Sequence, residues 1–397
     1  MALSYRTATR DDVDELCELD GRNFGGRFDA DSVERIRESF DLSRFLVARD
    51  TSLPGDPMVG AAGNFSLEVT LPGPSVVPMA GVTWVSVATT HRRRGVAARM
   101  MAWLDDDARA HDEPIIGLTA SEGGIYERFG YGVATVVRAV SIDRRRVQVA
   151  DRFRADTSSI RFVDHIEHLP EICAIFDRYR RNAVGQVAMP EFLAREHMEP
   201  PSPTTRVVCA LHPEGFAVWQ VNQDWNDGDP RHGLRLWMLC GLTDDARRAL
   251  WTLILSTDLA GKITARLPVG PDDPLPYFLT NPRALKTTHV GDHLWLKVLD
   301  PSAAFAARSY RTDDALVVEL PDGDKLRITA DRVSSTRRRK RADLVLSDSA
   351  VGPLLLGGAS ATVLSNGGRI EAASRKVLER ADAFFGSSPT PHCAVAF

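Results

Sequence analysis

A strand pattern that runs through an arginine-rich turn into a helix pattern constrains this chain more than any other feature. Residues 81–90 (GVTWVSVATT) are typical of a strand, three consecutive arginines occupy 92–94, and residues 94–112 follow a helical period. The first turn of a helix has unpaired N–H groups and a partial positive charge, so it attracts anions. Gly95 allows the backbone to approach a ligand closely, and Ala97 is nearly as small. The junction therefore predicts an anion site.

The spacing within this turn indicates which anion it suits. Arg92-x-x-Gly95-x-Ala97, entered from a strand, resembles the pyrophosphate-binding loop of acyl-CoA-dependent N-acetyltransferases. It matches neither the ending of a Walker A loop nor the glycine pattern of a dinucleotide-binding fold. We expect Arg92 and Arg93 to contact the phosphates of coenzyme A through charge-assisted hydrogen bonds, whereas Arg94 is as readily placed in solvent. The alternative is a solvated arginine turn that caps a helix.

Length, composition and charge exclude several classes of protein. The chain has 397 residues, enough for two or three domains, with the 44% hydrophobic and 26% charged content of an ordinary globular protein. Its net charge of −4 argues against nucleic-acid binding, despite basic runs at 143–154 and 335–347. No stretch approaches the roughly 20 apolar residues that span a bilayer, and residues 1–19 lack the apolar core of a signal peptide. We therefore expect a cytoplasmic protein that binds neither nucleic acid nor membrane.

The cysteines and histidines predict neither a disulfide framework nor a metal site. The five cysteines are scattered and include no Cys-x-x-Cys pair. His165 and His168 are three residues apart near the start of a predicted helix, but no further ligands accompany them. A polar patch is the simpler interpretation, and we expect no metal.

The middle of the chain repeats the pattern of its beginning. Residues 233–256 again give a strand, a short junction and a helix, like residues 81–104, but without the arginines and the glycine. This predicts a duplicated α/β fold whose later copy has lost its anion site, followed by a segment of strands and then helices, which is typical of an α+β domain. The proline-rich residues 72–80 are predicted to form a loop. The predicted domains are 1–155, 156–288 and 289–397.

Further segments extend the resemblance over nearly the whole chain. They are ASEGGIYERFGYG (120–132), DPLPYFLTNPRALKTT (273–288) and the aromatic last residue, Phe397. Together with VATTHRRRGVAARMM (87–101), they make the chain similar to the Eis-type (enhanced intracellular survival) aminoglycoside N-acetyltransferases of the GNAT superfamily. The resemblance implies an active N-terminal GNAT fold, a degenerate central GNAT fold and a C-terminal sterol-carrier-like domain. It also implies acetyl-CoA as cosubstrate, acetylation at several amines and a homohexamer.

The resemblance also assigns roles to particular residues. The residues implied in cofactor binding are Val85, Val87, Arg92, Arg93, Gly95, Val96, Ala97 and Ser121. Of these, Val85 and Val87 are expected to bond the pantetheine arm through their backbone groups. Tyr126 matches the family's general acid, because a hydroxyl with an ordinary pKa near 10 is a fair proton donor to a thiolate whose thiol has a pKa of about 8.5. The alternative is that Tyr126 only packs, with Phe129 and Tyr131, on the sheet.

Phe397 and Phe24 complete the expected site. By resemblance, the α-carboxylate of Phe397 enters the N-terminal active site and acts as a base. Because an α-carboxyl ordinarily has a pKa of about 3.5, proton abstraction requires desolvation or a water relay; the alternative is a purely structural plug. Phe24 is expected to line the substrate pocket, while Trp84 is either a wall of that pocket or part of the core. Asp29 and Asp31 lie near Phe24, but the sequence identifies no secure acidic residue of the pocket.

Two classes of function are compatible with this sequence. The leading hypothesis is an acetyl-CoA-dependent N-acetyltransferase that acts on aminoglycosides, and on lysine-like or polyamine substrates, by direct transfer in a ternary complex. The alternative is a regulatory protein that binds coenzyme A or a lipid without turnover. Tyr126, the arginine turn and Phe397 together favour the enzyme, since a binding module has no need of a general acid.

Overall fold

The computed structural model describes residues 2–337 and 341–397. The centre of the predicted basic run at 335–347 lies outside these ranges. Among the described residues, no helix combines the length and the apolar character needed to cross a bilayer.

The elements fall into three consecutive groups. The first group contains strands β1 (Leu3–Thr7), β2 (Phe45–Asp50), β3 (Met58–Leu71), β4 (Ser75–Val87), β5 (Ile115–Thr119), β6 (Gly132–Val133) and β7 (Val136–Asp143), with helices α1 (Val13–Phe24), α2 (Ala30–Ser39) and α3 (Val96–Ala110). The second contains β8 (Arg161–Val163), β9 (Arg206–His212), β10 (Gly215–Asn222), β11 (Trp225–Asn226), β12 (Asp229–Pro230), β13 (His232–Gly241), β14 (Ala260–Ala265) and β15 (Leu285–Asp292), with α4 (Leu169–Arg180), α5 (Glu191–Met198), α6 (Asp244–Leu255) and α7 (Leu275–Phe278). The third contains β16 (Leu294–Val298), β17 (Ala315–Glu319), β18 (Lys325–Thr329), β19 (Val333–Thr336), β20 (Leu344–Leu346) and β21 (Ile370–Ala372), with α8 (Pro301–Ala307), α9 (Asp348–Leu356), α10 (Ala361–Asn366) and α11 (Arg375–Phe385).

Two seven-stranded sheets and one five-stranded sheet organise these elements. The first sheet has the order β1-β2-β3-β4-β5-β16-β6, and the second has the order β15-β7-β14-β13-β10-β9-β8. The third, β19-β18-β17-β20-β21, accompanies the last four helices. In the first sheet β4 is parallel to β5, and in the second β13 is parallel to β14. The units β4–α3 and β13–α6 therefore repeat one arrangement, as the sequence pattern predicts.

The first two sheets exchange strands at two adjacent crossings. The chain leaves the first sheet after β6 and enters the second at β7, and it returns from β15 to β16 with only His293 between. At this point the backbone N–H of Leu294 donates to the Thr135 hydroxyl over 3.1 Å. Strand β7 thus lies in the sheet of the central copy and β16 in the sheet of the N-terminal copy, although the predicted ranges 1–155 and 289–397 place them otherwise. The ranges 1–155, 156–288 and 289–397 stay a prediction.

The prediction of a loop at 72–80 is wrong for most of this segment. Only residues 72–74 form a turn, and β4 begins at Ser75, directly opposite Leu71 of β3. The long antiparallel pair β3–β4 accommodates Pro78 at an exposed position. Pairing with an apolar partner strand overrides the local preference of the prolines for a loop.

Candidate active site

The strands β4 and β5 separate at the centre of the first sheet. They pair only from Met79–Ile115 to Gly81–Gly117, although β4 continues to Val87. Past this point no described strand pairs with β4 on the β5 side. The opening leaves the groups expected to bond a pantetheine arm, those of Val85 and Val87, on a half-buried edge.

A β-bulge lies within this opening. Ala61 pairs with Ser86 and Gly63 pairs with Thr83, so Ala62 faces both Trp84 and Val85. Trp84 adopts φ 53°, which is strained for a bulky side chain. The bulge separates neighbouring side chains: Trp84 packs against the cluster that contains Phe65, whereas Val85 and Val87 pack against the cluster that contains α3.

The arginine turn leads from this opening into α3. Gly95 caps the helix with φ 80°, in the left-handed region, and nothing lies within 4 Å of the position that a Cβ would take. Val96 is buried at the first helical position, and Ala97 is half-buried beside it. Arg92 and Arg93 are exposed and form no ion pair with any described residue. Small residues, open space and free cations around a helix N-terminus fit a pyrophosphate group.

A buried hydrogen bond holds the start of this turn. The Nε2 atom of His91 lies 3.0 Å from Oδ2 of Asp50 at the end of β2. Hydrogen bonds from Ser52 and His91 lower the pKa of Asp50 to about 2. The carboxylate therefore stays charged, and it anchors the turn to the sheet.

The helix of the central copy begins differently. The hydroxyl of Thr243 accepts a hydrogen bond from the N–H of Ala246 over 3.2 Å, and Asp244 and Asp245 follow in the first turn. A side chain thus occupies the N-terminus of α6, and two carboxylates repel an anion there. This copy has no counterpart of the arginine turn.

Tyr126 is buried on the face of the first sheet that α3 covers. It is 7% exposed and belongs to the same hydrophobic cluster as Val96 and Met100. Burial, with a smaller contribution from Glu122, raises the pKa of its hydroxyl, which therefore keeps its proton at neutral pH. Ser121, in contrast, is exposed on the loop that follows β5. Packing of Tyr126 and proton donation by Tyr126 are compatible in this arrangement.

Residues 391–397 form a tail whose last residue, Phe397, lies in the gap between β4 and β5. The ring of Phe397 lies 3.1 Å from the place where a Cβ of Gly81 would stand, which is where pairing with β5 ends. The hydroxyl of Thr119, at the end of β5, donates to the Phe397 carbonyl oxygen over 2.9 Å and accepts from the Phe397 N–H over 3.2 Å. The main-chain oxygen and the ring of Phe397 therefore lie at the opening of the N-terminal sheet.

An aromatic cleft of about 440 Å³ adjoins the bulge. Its rings are Phe28, Phe40, Trp84 and Phe192. Phe28 stacks on Trp84 at 5.5 Å, and Phe40 meets Trp84 edge-on at 5.6 Å. Trp84 is therefore a wall of this cleft as well as a core contact. Phe24 does not line it; its side chain is 56% exposed at the end of α1.

Three of the four carboxylates of this cleft come from α5 and the residue that follows it, in the second group of elements. The acidic residues that line it are Glu38, Glu191, Glu196 and Glu199. Glu199 pairs with Arg35 over 2.9 Å, whereas Glu196 forms no ion pair with a described residue. Glu196 is exposed, but the protein around it partly desolvates its carboxylate. This desolvation, then the charges of Asp20 and Glu199, raise its pKa. Sequence patterns near Phe24 missed these groups because α5 lies more than 150 residues away.

Asp20 adds a further half-buried carboxylate next to the bulge. Its Oδ1 atom accepts a hydrogen bond from the Ser86 hydroxyl over 3.2 Å, and burial raises its pKa. Carboxylates that repel each other are stabilised when a cation comes between them. The cleft therefore suits a positively charged ligand. Among the described residues, no cluster of three histidine, cysteine or acidic side chains is arranged to hold a metal ion.

Comparison with known proteins agrees with this geometry. Residues 4–134 and 190–298 each match a family model described as an acetyltransferase (GNAT) domain, and residues 282–394 match a sterol carrier protein domain. The fold and the site thus define an acetyl-CoA-dependent N-acetyltransferase with two GNAT domains and a C-terminal sterol-carrier-like domain. The predicted fold class is confirmed.

Relatives that match over the full length identify the family within the GNAT acetyltransferases. N-acetyltransferase Eis of Mycobacterium tuberculosis is 33% identical over 413 aligned residues that cover 100% of both chains. An uncharacterized N-acetyltransferase of Streptomyces coelicolor is 32% identical over 410 aligned residues and 98% of each chain. The crystal structure of Eis1 from Mycobacterium abscessus superposes with a TM-score of 0.87 at 28% identity over 100% of both chains. The chain belongs to the Eis family of N-acetyltransferases.

Proposed function

We propose that this enzyme acetylates primary amines of aminoglycosides, at more than one position, and also lysine-like and polyamine amines. The observation that carries the proposal is the acidic, aromatic cleft beside the bulge of β4. Flat rings and the unpaired carboxylate of Glu196 suit a polycationic sugar, and a cleft of about 440 Å³ leaves room for more than one orientation of it. Phe24, which is exposed at the end of α1, stays a predicted contact of the substrate.

The proposed chemistry is direct transfer in a ternary complex. The amine nitrogen attacks the thioester carbonyl, so that a C–N bond forms and the C–S bond breaks. The hydroxyl of Tyr126 supplies the proton that the leaving thiolate takes up, and the amine proton passes to the carboxylate of Phe397, directly or through water. Val85, Val87, Arg92, Arg93, Gly95, Val96, Ala97 and Ser121 are the proposed contacts of acetyl-CoA.

The cysteines support direct transfer over a covalent intermediate. Burial is the first cause of the raised pKa of every cysteine thiol: to about 11 for Cys17 and Cys173, and to about 12 for Cys209, Cys240 and Cys393. A thiol nucleophile needs a lowered pKa to attack a thioester at neutral pH. None of these residues meets that requirement.

The test is release of coenzyme A from acetyl-CoA in the presence of tobramycin, with the full chain and with a chain that lacks only Phe397. We expect turnover by the full chain, more than one acetyl group per tobramycin by mass spectrometry, and a collapse of kcat in the shortened chain with unchanged binding of coenzyme A. Equal kcat values in the two chains contradict the role of Phe397. Binding of coenzyme A without turnover on tobramycin, lysine peptides or spermine favours the regulatory alternative.

We further propose that the chain forms a homohexamer in the cytoplasm, following the family resemblance. Light scattering coupled to size-exclusion chromatography tests the assembly. A mass of six chains supports it, and a monomer or dimer mass contradicts it.

A further inference from the structure

Four side chains hold four consecutive residues at the end of the chain. Gln186 Oε1 accepts from the N–H of Ala394 (3.1 Å), His293 Nε2 binds the carbonyl oxygen of Val395 (3.0 Å), and His197 Nε2 binds that of Ala396 (2.7 Å). The hydroxyl of Thr119 donates to the main-chain oxygen of Phe397 (2.9 Å), which belongs to the proposed carboxylate. These residues come from separate parts of the fold. We call Gln186, His197, His293 and Thr119 the tail clamp.

The tail clamp recognises backbone atoms. Side chains replace the hydrogen-bonding partner that a neighbouring strand normally provides, so each residue from 394 to 397 has a defined position. The side chain of Phe397 sets the depth of insertion through its contact at Gly81. Length and backbone position of the tail therefore matter more than the identity of Ala394 and Ala396.

The two histidines of the clamp are buried and uncharged. Burial lowers the pKa of His293 to about 4, and burial also lowers the pKa of His197. With its proton on Nε2, neutral His293 donates to the Val395 carbonyl oxygen without placing a charge beside the tail. The Nε2 atom of His197 lies 2.7 Å from the carbonyl oxygen and 3.2 Å from the N–H nitrogen of Ala396, so it binds this residue as donor in one tautomer and as acceptor in the other. His293 is the single residue between β15 and β16, and His197 lies on α5, next to Glu196 of the cleft. Both are outside the N-terminal GNAT domain.

We propose that His197 and His293 are positioning residues for acetyl transfer, which fix the Phe397 carboxylate in the opening between β4 and β5. The inference rests on the proposed role of that carboxylate. Displacing a reacting group by about 1 Å commonly costs on the order of a hundredfold in rate. The central domain thereby acts on the chemistry of the N-terminal domain through hydrogen bonds to the tail.

The first test compares variants at His293 and His197. His293→Leu removes the donor, whereas His293→Gln keeps an N–H at similar reach; His197→Leu and His197→Gln form the same pair. We expect each leucine variant to lower kcat at least tenfold, with the KM for acetyl-CoA within twofold of the native value, and each glutamine variant to recover most of the loss. In a chain without Phe397, His293→Leu should change kcat less than twofold. Leucine variants with native kcat, or equal loss in the glutamine and leucine variants, overturn the proposal.

The second test does not depend on turnover. Carboxypeptidase digestion of the folded protein measures how often the tail leaves its site, with mass spectrometry to follow release of Phe397 and Ala396. We expect His293→Leu and His197→Leu to release them at least tenfold faster than the native chain. The matched control is His232→Gln. It removes a histidine whose Nδ1 lies 3.1 Å from the carbonyl oxygen of Asp224 and which, among the described residues, has no bond to the tail, so it should digest at the native rate.

The two tests separate failure of the inference from failure of the proposed function. Faster digestion in a protein that acetylates none of the amines tried supports the clamp and contradicts the proposed function. Turnover by the native chain with equal digestion rates in all variants contradicts the clamp and leaves the proposed function standing.

Discussion

Tyr126 and Tyr131 show how the surroundings of single residues separate a functional hydroxyl from a structural one. Their rings meet edge-on at 6.1 Å, and burial raises the pKa of both hydroxyls. Tyr131 is fully buried, and its hydroxyl has no hydrogen-bond partner among the described residues. Tyr126 keeps a slight exposure of 7%. Substitutions at these two tyrosines therefore compare a hydroxyl proposed to donate a proton with one that only packs.

We predict that Tyr126→Phe lowers kcat by roughly 10² to 10⁴, the usual contribution of a general acid, because the ring stays and only the proton donor is lost. Binding of coenzyme A, measured by calorimetry, should not change. Tyr131→Phe should have native kcat, since its hydroxyl binds nothing in the structure. A Tyr126→Phe enzyme with native kcat would assign both tyrosines to packing.

Glu196 is the residue-scale test of the cleft. We predict that Glu196→Gln raises the KM for tobramycin roughly tenfold, because a charge-assisted contact to an ammonium group becomes a neutral one, with little change in the KM for acetyl-CoA. Glu18→Gln, at an exposed position that pairs with Arg22, is the control. Equal effects of the two variants would place the aminoglycoside elsewhere.

At the scale of elements, two strand–helix junctions of the same design differ in what occupies the helix N-terminus. Gly95 leaves α3 open, whereas Thr243 and two aspartates close α6. The residues that cause this difference lie within a few positions of each junction, so the sequence alone predicts it.

We predict that Arg92→Ala and Arg93→Ala each weaken binding of coenzyme A roughly tenfold or more, since each removes a charge-assisted contact to phosphate. The effect should decrease at high salt, which screens exposed charges. Arg109→Ala, at the other end of α3, should bind normally. Titration calorimetry measures all three, and native affinity in both turn variants would favour the solvated-turn alternative.

At the scale of the whole molecule, the tail joins the domains through buried neutral histidines. The charged or titratable groups that act on His293 and His392 are Arg266, Arg247, His197 and Asp292. Burial is the main cause that lowers the pKa of both histidines to about 4, below the ordinary value of 6.5. The unfolded chain thus binds protons more readily than the folded one between these values.

Stability from these histidines is therefore complete above pH 6.5 and decreases as the pH falls towards 4, by up to about 3 kcal/mol for His293. Asp50, whose pKa is lowered to about 2, loses its contribution only below the ordinary aspartate value of 3.8. We predict that urea midpoints fall less for His293→Gln than for the native chain between pH 6.5 and pH 4.5. Equal decreases would show that His293 does not titrate in this window.

The sequence by itself determined the parts whose causes are local. The strand, arginine turn, glycine and helix of 81–112, the duplicated copy at 233–256 and the turn around Tyr126 depend on residues a few positions apart, and periodicity and capping reveal such parts. The family resemblance extended this to the domain order.

Only the tertiary structure decided which distant residues complete the site. Glu196 reaches the cleft from another domain. Strand β7 lies in the second sheet and β16 in the first. His293 and His197 bind tail atoms that are 102 and 199 residues away in the sequence. Contacts over such separations arise from packing of whole sheets, and no local pattern of side chains encodes them. The same reason explains why the prediction of a loop at 72–80 is wrong. The prolines of this segment favour a loop locally, but pairing with β3 makes most of it a strand.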